Sequence, residues 1–225
     1  ANATPLLRAI ADYEGLKPEN VFAGNGSDEV LSLCFRAFFN SDKPIIYPDI
    51  TYSFYPVWCD VLRIPYETIP VDENFEINAA DYRRPNGGVV IANPNAPTSI
   101  GRGLDFIREI LDANGESVVI VDEAYVDFGG TTAVPLLAEY DNLVITRTFS
   151  KSRSMAGLRI GYALGNKEVI SALFAAKDSM NSYPLDSVAI AAGVASIGDE
   201  AYFRATLAKV MQTRERLAGE LRAMG

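Results

Sequence analysis

One stretch of the chain places an amine, hydroxyl groups and a guanidinium close together. Ser150 and Lys151 follow the apolar run 143–145 after a short polar turn, and Arg159 comes eight residues after the lysine. An amine beside hydroxyls and an arginine suits nucleophilic chemistry next to a bound phosphate. The spacing alone also fits a solvated surface loop, because lysine side chains are mostly exposed. Other parts of the chain must decide between the two.

A second group of polar residues, Gly24-Asn25-Gly26-Ser27-Asp28-Glu29, joins a predicted strand to a predicted helix. Backbone N–H groups at such a helix start can bind a phosphate, and we expect Ser27 to be the N-cap. The third glycine of a dinucleotide fingerprint is replaced by Glu29, and no Gly-Lys-Ser/Thr follows, so neither nucleotide motif is complete. A capped turn without a ligand remains the alternative.

Asp122 closes the β-branched run 118–121. A carboxylate at the end of a buried strand is costly unless it is paired with a cation, and either a protonated ring nitrogen or Mg²⁺ would serve. A helix cap or an internal salt bridge is the alternative. Tyr125 lies three residues further on and can reach the same pocket, unless it is an interior aromatic with a satisfied hydroxyl.

Two further segments could contact a flat ligand. The loop Asn93-Pro94-Asn95-Ala96-Pro97-Thr98 is rigid and carries fixed amide groups, and Tyr52 follows the Pro-Asp-Ile-Thr sequence at 48–51. Taken singly, each is more typical of turn chemistry or core packing than of a binding site.

Composition excludes several classes of function. The 225 residues carry a formal net charge of −9, which argues against a nucleic-acid partner. The chain has no histidine, so Ser-His-Asp and Cys-His catalysis and histidine-bound zinc are excluded. Cys34 and Cys59 lie in apolar surroundings, which predicts buried thiols in a reducing compartment and neither a disulfide framework nor a metal site.

Neither a membrane span nor a signal peptide is predicted. No apolar stretch approaches the roughly 18 residues that a membrane helix needs. The first residues, 1–5, have neither a basic region nor an apolar core. We therefore expect a cytoplasmic protein without a membrane partner. The absence of an initiator methionine leads us to expect a segment of a longer protein.

Short apolar strands alternate with helical patterns along the chain. This order predicts an α/β fold of three αβα layers around a mostly parallel sheet. The predicted strands are 21–23, 44–47, 62–69, 89–92, 118–121, 143–145 and 160–164, and the main predicted helices are 28–39, 54–61, 104–113, 167–177, 186–197 and 200–224. Ligands bind beyond the carboxyl ends of such strands, where the polar clusters at 24–29, 47–52, 93–98, 122–125 and 146–151 all lie. We predict that they form one site.

Six motifs, in this order and spacing, cover essentially the whole chain: Gly-Asn-Gly-Ser-Asp-Glu (24–29), Pro-Asp-Ile-Thr-Tyr (48–52), Asn-Pro-Asn-Ala-Pro-Thr (93–98), Val-Asp-Glu-Ala-Tyr (121–125), Thr-Phe-Ser-Lys (148–151) and Ala-Gly-Leu-Arg-Ile-Gly (156–161). With them the chain resembles the fold-type I pyridoxal-phosphate-dependent aminotransferases, most closely the histidinol-phosphate aminotransferases. The motifs are highly specific for cofactor and fold, and less specific for substrate.

The resemblance implies three catalytic residues, Lys151, Asp122 and Tyr125, and no metal. Lys151 would form the Schiff base with pyridoxal 5'-phosphate, and Asp122 would pair with the pyridinium nitrogen. Tyr125 and Asn95 would hydrogen-bond the ring O3′, and Tyr52 would stack on the ring. The cofactor phosphate would be held by the remaining matched residues: the backbone around Gly26, Ser27 and Asp28, and the side chains of Thr148, Ser150 and Arg159.

The implied reaction transfers an amino group between histidinol phosphate and 2-oxoglutarate in histidine biosynthesis. Its substrates would thus be a small-molecule amine and a 2-oxo acid. Three alternatives stay open: an aromatic amino-acid aminotransferase, a phospho-amino-acid decarboxylase, and a non-catalytic domain of the same fold. A nicotinamide-dependent oxidoreductase is disfavoured by the incomplete glycine fingerprint.

The family also implies how the chain is organised. Residues 1–225 would be the cofactor-binding large domain of a homodimer, and the helix at 199–225 would lead to a small domain outside the chain. Two departures are visible. The loop ends Pro-Thr-Ser at Ser99, where the family usually has glycine, and residues 152–155 after the lysine are more basic than expected because of Arg153.

Overall fold

Seven strands form one sheet in the computed structural model, which describes residues 3–225. The strands are β1 (Val21–Asn25), β2 (Ile45–Pro48), β3 (Tyr66–Ile69), β4 (Gly88–Ala92), β5 (Val119–Asp122), β6 (Leu143–Thr148) and β7 (Ile160–Gly165). Their spatial order is β1-β7-β6-β5-β4-β2-β3. Within residues 3–225, β7 runs antiparallel to the other six strands, which share one direction. The predicted mostly parallel sheet is confirmed.

Helices cover both faces of the sheet. They are α1 (Thr4–Glu14), α2 (Gly26–Phe38), α3 (Tyr55–Leu62), α4 (Leu104–Ala113), α5 (Lys167–Asp178), α6 (Ser187–Gly198) and α7 (Glu200–Met224). Helices α1, α4 and α6 pack on one face, and α2, α3 and α5 pack on the other. Alternate strand residues serve the two cores, as Val119 and Ile120 show, because successive strand side chains point to opposite faces. The three-layer αβα prediction is confirmed.

The strand directions bring the predicted site residues to one edge. Strands β1, β2, β4, β5 and β6 run in the same direction, so the polar segments that follow them meet at their carboxyl ends. Strand β7 runs the other way and therefore starts at that edge. Ile160 pairs with Asn25 and Gly161 pairs with Thr148, which places Arg159 at the site.

Three local predictions were wrong. Ser27 is not the N-cap: α2 begins at Gly26, where φ is 80°, and the N–H of Asn25 donates to the Glu29 carboxylate at 2.5 Å. That contact occupies only the N–H of Asn25, the N-cap residue, and no side chain within residues 3–225 caps the N–H groups that follow it. Strand β3 begins at Tyr66 and not at residue 62, because α3 continues to Leu62. Asp122 is the last residue of β5 and does not lie beyond it.

An aromatic cluster surrounds α3, next to this edge. The Trp58 ring centroid lies 5.4 Å from that of Phe35 and 6.2 Å from those of Tyr52 and Tyr55. Trp58 is only 8% exposed. Its packing fixes the position of α3, which carries Tyr55.

Two further predictions concern thiols and membranes. Cys34 and Cys59 are both free and buried, as predicted. Within residues 3–225, no helix combines the length and the apolar character that crossing a membrane would require.

Candidate active site

Asp122 lies at the centre of the polar edge and is 5% exposed. Its carboxylate accepts three hydrogen bonds. The Tyr55 hydroxyl donates to Oδ2 at 3.0 Å, and the Thr146 hydroxyl and the Ala124 N–H donate to Oδ1 at 3.1 and 3.3 Å. All three donors are neutral groups.

Among residues 3–225, no lysine or arginine forms an ion pair with Asp122. Burial raises the pKa of this carboxyl, and the hydrogen bonds from Tyr55 and Thr146 oppose that rise. A buried carboxylate without a cation is well suited to bind a cationic group of a ligand, such as a protonated ring nitrogen.

Lys151 projects from the turn after β6. The turn is fixed by the N–H of Ser150, which donates to the Thr148 hydroxyl at 3.1 Å. The lysine is exposed, and its Nζ lies 5.3 Å from the ring centroid of Tyr125. Because Tyr125 is 37% exposed and its hydroxyl has no hydrogen-bond partner among residues 3–225, both groups can contact a ligand at the edge.

The start of α2 and Arg159 together form one corner of the site. Arg159 has a φ of 50°, and its Nη2 lies 3.2 Å from the Asp28 carboxylate. A Cβ on Gly26 would collide with the Arg159 guanidinium, and a Cβ on Gly161 would collide with the backbone of Gly26 and Ser27. The two glycines thus let the arginine approach the free N–H groups of the helix start, an arrangement that fits a phosphate.

Two predicted phosphate ligands differ in their availability. Thr148 is buried, and its hydroxyl donates to the carbonyl of Ile160 at 3.4 Å while it accepts the N–H of Ser150. Thr148 therefore holds the turn together. Ser150 is half-buried at the same corner, and its backbone N–H is part of that turn.

Asn95 lies at the edge but is 2% exposed. Its amide hydrogens are donated to the carbonyl of Ile50 at 2.8 Å and the hydroxyl of Thr98 at 3.1 Å, and its oxygen accepts from Thr51 at 2.7 Å. A hydrogen bond from Asn95 to a cofactor would need one of these contacts to break. In this structure the side chain ties the loop at 93–98 to the segment after β2.

Tyr52 stands between the helix start and the aromatic cluster. Its hydroxyl donates to Oδ1 of Asp28 at 2.9 Å, and its ring meets the Tyr55 ring edge-on at 5.6 Å. Its half-buried ring therefore borders the site, close to where the sequence predicted a stacking contact.

Sequence reasoning missed Tyr55 and Thr146, the hydroxyl donors to Asp122. A weak signal exists for each. Thr146 is the first polar residue after the apolar run 143–145, and it pairs in register with Asp122. Tyr55 follows Tyr52 by three residues, within the aromatic-rich stretch 52–58 at the start of α3.

Glu123, adjacent to Asp122, belongs to a separate buried network. Its carboxylate binds Arg147 at 2.8 Å and accepts the N–H of Ala133. Arg147 also binds Glu14 of α1 at 2.8 Å, and the arginine and both carboxylates are almost fully buried. This network connects β6 to α1 and is satisfied entirely within the protein.

Both sequence departures have a structural account. Ser99 adopts a φ of 64°, a conformation that glycine reaches with less strain. The Arg153 guanidinium lies over the rings of Phe203, Tyr13 and Phe149, at 4.2, 5.0 and 5.4 Å from their centroids, and donates to the Ser196 carbonyl at 2.7 Å. The added charge is thus held against the helices.

A cleft of about 960 Å³ opens beside Tyr125, between the loop at 93–103 and α7. A larger concavity of about 1290 Å³ lies at the opposite edge, before β4 and β5. Its arginines are engaged by carboxylates, for example Arg83 by Glu109 at 2.8 Å. We place the candidate site at the edge that carries Asp122 and Lys151, because that edge combines an unpaired buried charge, an amine and an anion-binding corner.

Sequence comparisons point to one family. The family model described as "Aminotransferase class I and II" matches residues 3–225. Histidinol-phosphate aminotransferase of Lactococcus lactis subsp. lactis is 52% identical over 224 residues, and that of Acinetobacter baumannii strain SDF is 54% identical. Each alignment covers 100% of this chain and 62% of the relative. The chain therefore spans about three-fifths of the length of these relatives.

Solved structures agree on the fold. The histidinol-phosphate aminotransferase of Clostridium acetobutylicum superposes with a TM-score of 0.89 at 25% identity, over 100% of this chain and 68% of that one. The Sinorhizobium meliloti enzyme in complex with pyridoxal-5'-phosphate gives a TM-score of 0.86 at 23% identity, over 96% of this chain and 61% of that one.

Proposed function

The chain belongs to the aminotransferase class I and II family, and from this premise we propose that it is the pyridoxal 5'-phosphate-binding large domain of a histidinol-phosphate aminotransferase. The observation that carries the proposal is the buried Asp122 carboxylate, which has no cationic partner within residues 3–225. The names of relatives at 52% and 54% identity support the choice of substrate.

Asp122 would hold the protonated ring nitrogen of the cofactor. The carboxylate gains the cation that its buried position lacks, and the ring nitrogen keeps its proton in return. When bound, the cofactor supplies a ring that accepts electrons from the carbon of the amine substrate. The protein would contribute the Asp122 carboxylate, whose negative charge would keep the ring nitrogen protonated.

Lys151 would hold the cofactor through its amine and would move the proton at the Cα of the amine substrate. Its exposed position over the Tyr125 ring leaves Nζ free for both tasks. Tyr125 would donate its hydroxyl to the ring oxygen O3′, a role that suits an exposed hydroxyl with no partner among residues 3–225. General acid–base help of this kind contributes about 10²–10⁴-fold to a rate.

The phosphate of the cofactor would occupy the corner between Arg159 and the start of α2. The N–H groups of Ser27 and Asp28 and the guanidinium of Arg159 are the donors, and Gly26 provides the space. Ser150 would add its hydroxyl, and Thr148 would act by holding the turn. Tyr52 would border the ring.

The substrates we propose are histidinol phosphate as the amine and 2-oxoglutarate as the 2-oxo acid. A homodimer fits the exposed apolar residues of the α3 segment, where Phe54 is 46% and Val61 is 73% exposed. The free, buried cysteines support a reducing, cytoplasmic compartment.

Adding pyridoxal 5'-phosphate tests the cofactor half of the proposal. The protein should develop a visible absorption band that borohydride removes, and mass spectrometry should find the reduced cofactor on Lys151. Lys151→Ala should abolish both the band and turnover, whereas Lys43→Ala, at an exposed lysine near the opposite edge, should change neither. A protein that forms no band would overturn the proposal.

The substrate half needs a separate measurement. Histidinol phosphate and 2-oxoglutarate together should yield glutamate. If the protein forms glutamate from an aromatic amino acid and none from histidinol phosphate, the cofactor assignment stands and the substrate assignment fails.

A further inference from the structure

We infer that Tyr55 is a positioning residue for the reaction proposed above: together with Thr146, its hydroxyl keeps the Asp122 carboxylate ionised and fixed in place for a cationic ligand group. The inference rests on the proposed function. It concerns a residue that none of the sequence motifs contains.

The two oxygens of the Asp122 carboxylate accept hydrogen bonds from side chains on two different elements. Tyr55, from α3, donates to one oxygen at 3.0 Å, and Thr146, from β6, donates to the other at 3.1 Å. Both donors are 0% exposed. Two hydroxyls stabilise the charged carboxylate without cancelling its charge, so the charge stays available to a ligand.

The groups that face Asp122 explain why this support is needed. Cys34 of α2 is neutral because burial raises its pKa, and Tyr52 is neutral because burial and Asp28 raise its pKa to about 12. Burial also keeps Tyr55 protonated by raising its pKa. The remaining charged neighbour, Asp28, is itself a carboxylate and raises the pKa of Asp122 further. The hydroxyl donors therefore act against both burial and like charge.

Packing fixes both hydroxyls before any ligand binds. The Tyr55 ring lies 5.7 Å from the Tyr47 ring and 6.1 Å from the Phe35 ring. Thr146 is held by the parallel pairing of β5 with β6, in which it stands opposite Asp122. Such pre-organised support is what a charged group needs in order to meet a ligand without reorganising.

Tyr55→Phe removes the hydroxyl and keeps the ring. The matched control is Tyr82→Phe, since Tyr82 is also 0% exposed and its hydroxyl has no partner among residues 3–225. In the cofactor-free protein, the ¹³C shift of the Asp122 carboxyl followed over pH gives its ionisation midpoint. Tyr55→Phe should raise the pH of this midpoint by about one unit, which corresponds to a tenfold lower proton concentration. A shift of this size is expected when a hydrogen bond to a charged group is lost. Tyr82→Phe should leave it unchanged.

A second readout uses pyridoxal 5'-phosphate itself. Its affinity should fall as the pH drops through the Asp122 midpoint, and Tyr55→Phe and Thr146→Val should each move that fall to higher pH. Thr146→Ser, which keeps the hydroxyl, should restore the wild-type profile. If the unchanged protein binds no cofactor, the proposed function fails and takes the positioning role with it. If it binds cofactor but Tyr55→Phe titrates like the wild type, the positioning role alone is overturned.

Discussion

Asp122 and Glu123 are consecutive carboxylates at the end of β5, and both are almost fully buried. Glu123 has a cation, Arg147, at 2.8 Å, and its charge is neutralised within the protein. Among residues 3–225, Asp122 accepts hydrogen bonds from two hydroxyls and one N–H, and from no cationic group. Successive strand residues point to opposite faces of a sheet, so one carboxylate joins a structural network while its neighbour enters the candidate site.

The comparison shows how burial can serve either stability or function. Burial raises the pKa of both carboxyls. For Glu123 the positive charge of Arg147 is the largest opposing effect, whereas for Asp122 only neutral hydrogen bonds oppose it. A buried carboxylate without a cation lowers the folding stability, and it becomes favourable when a cationic ligand binds to it.

Arg147→Met tests whether the network around Glu123 stabilises the fold. It would leave Glu123 and Glu14 buried without their cation, and removing one partner of a buried pair costs about 3–5 kcal/mol of unfolding free energy. Urea unfolding measures the loss. Arg83→Met removes one partner of an exposed pair and should cost at most about 1 kcal/mol. Equal losses for the two variants would contradict the structural role of Arg147.

Asp122→Asn tests whether the Asp122 carboxylate contributes to cofactor binding. Removing one partner of a buried charge pair weakens binding by about 2–5 kcal/mol, so affinity for pyridoxal 5'-phosphate should fall roughly 30-fold or more. Folding stability should not fall, because the lost charge is not paired with a cation in the described part of the chain, residues 3–225. Glu123→Gln should show the reverse pattern, with lower stability and retained affinity. An Asp122→Asn protein that binds cofactor like the wild type would refute the assigned role.

The smallest expected effect is a pH dependence of the folding stability that is caused by Asp122. Because the folded-state pKa of Asp122 is raised, its protonated form favours folding. That contribution is fully present below the ordinary carboxyl pKa of 3.8 and is lost as the pH rises through the folded value. In cofactor-free protein, Asp122→Asn should therefore gain stability relative to the wild type as the pH rises above the ordinary carboxyl pKa. A difference that does not change with pH would contradict the raised pKa.

Much of the fold could be predicted from local pattern. The helix Leu104–Ala113 has the predicted bounds, since its apolar periodicity and the flanking turn residues are both clear. The location of the site could also be predicted, because polar residues follow several strands and the carboxyl ends of parallel strands meet at one edge of the sheet. The antiparallel direction of β7 was not predicted, although it explains why Arg159, which precedes a strand, reaches the same site as residues that follow strands.

The site was less accessible to sequence reasoning wherever it depends on distant contacts. The contact between Tyr55 and Asp122 joins residues 67 positions apart, and that between Arg147 and Glu14 joins residues 133 positions apart. No local spacing encodes such pairs. Asn95 shows the converse: its motif suggested a ligand contact, but the folded loop uses its amide hydrogens internally.

The aromatic cluster on α3 gives the protein a built-in optical reporter. Trp58 is the only tryptophan in the chain, and its ring lies 6.2 Å from both the Tyr52 and the Tyr55 rings. Intrinsic fluorescence excited at the indole band therefore originates from one position, at the border of the candidate site. Quenching of that emission by an absorbing ligand at Asp122 would report site occupancy directly, without a label and without turnover.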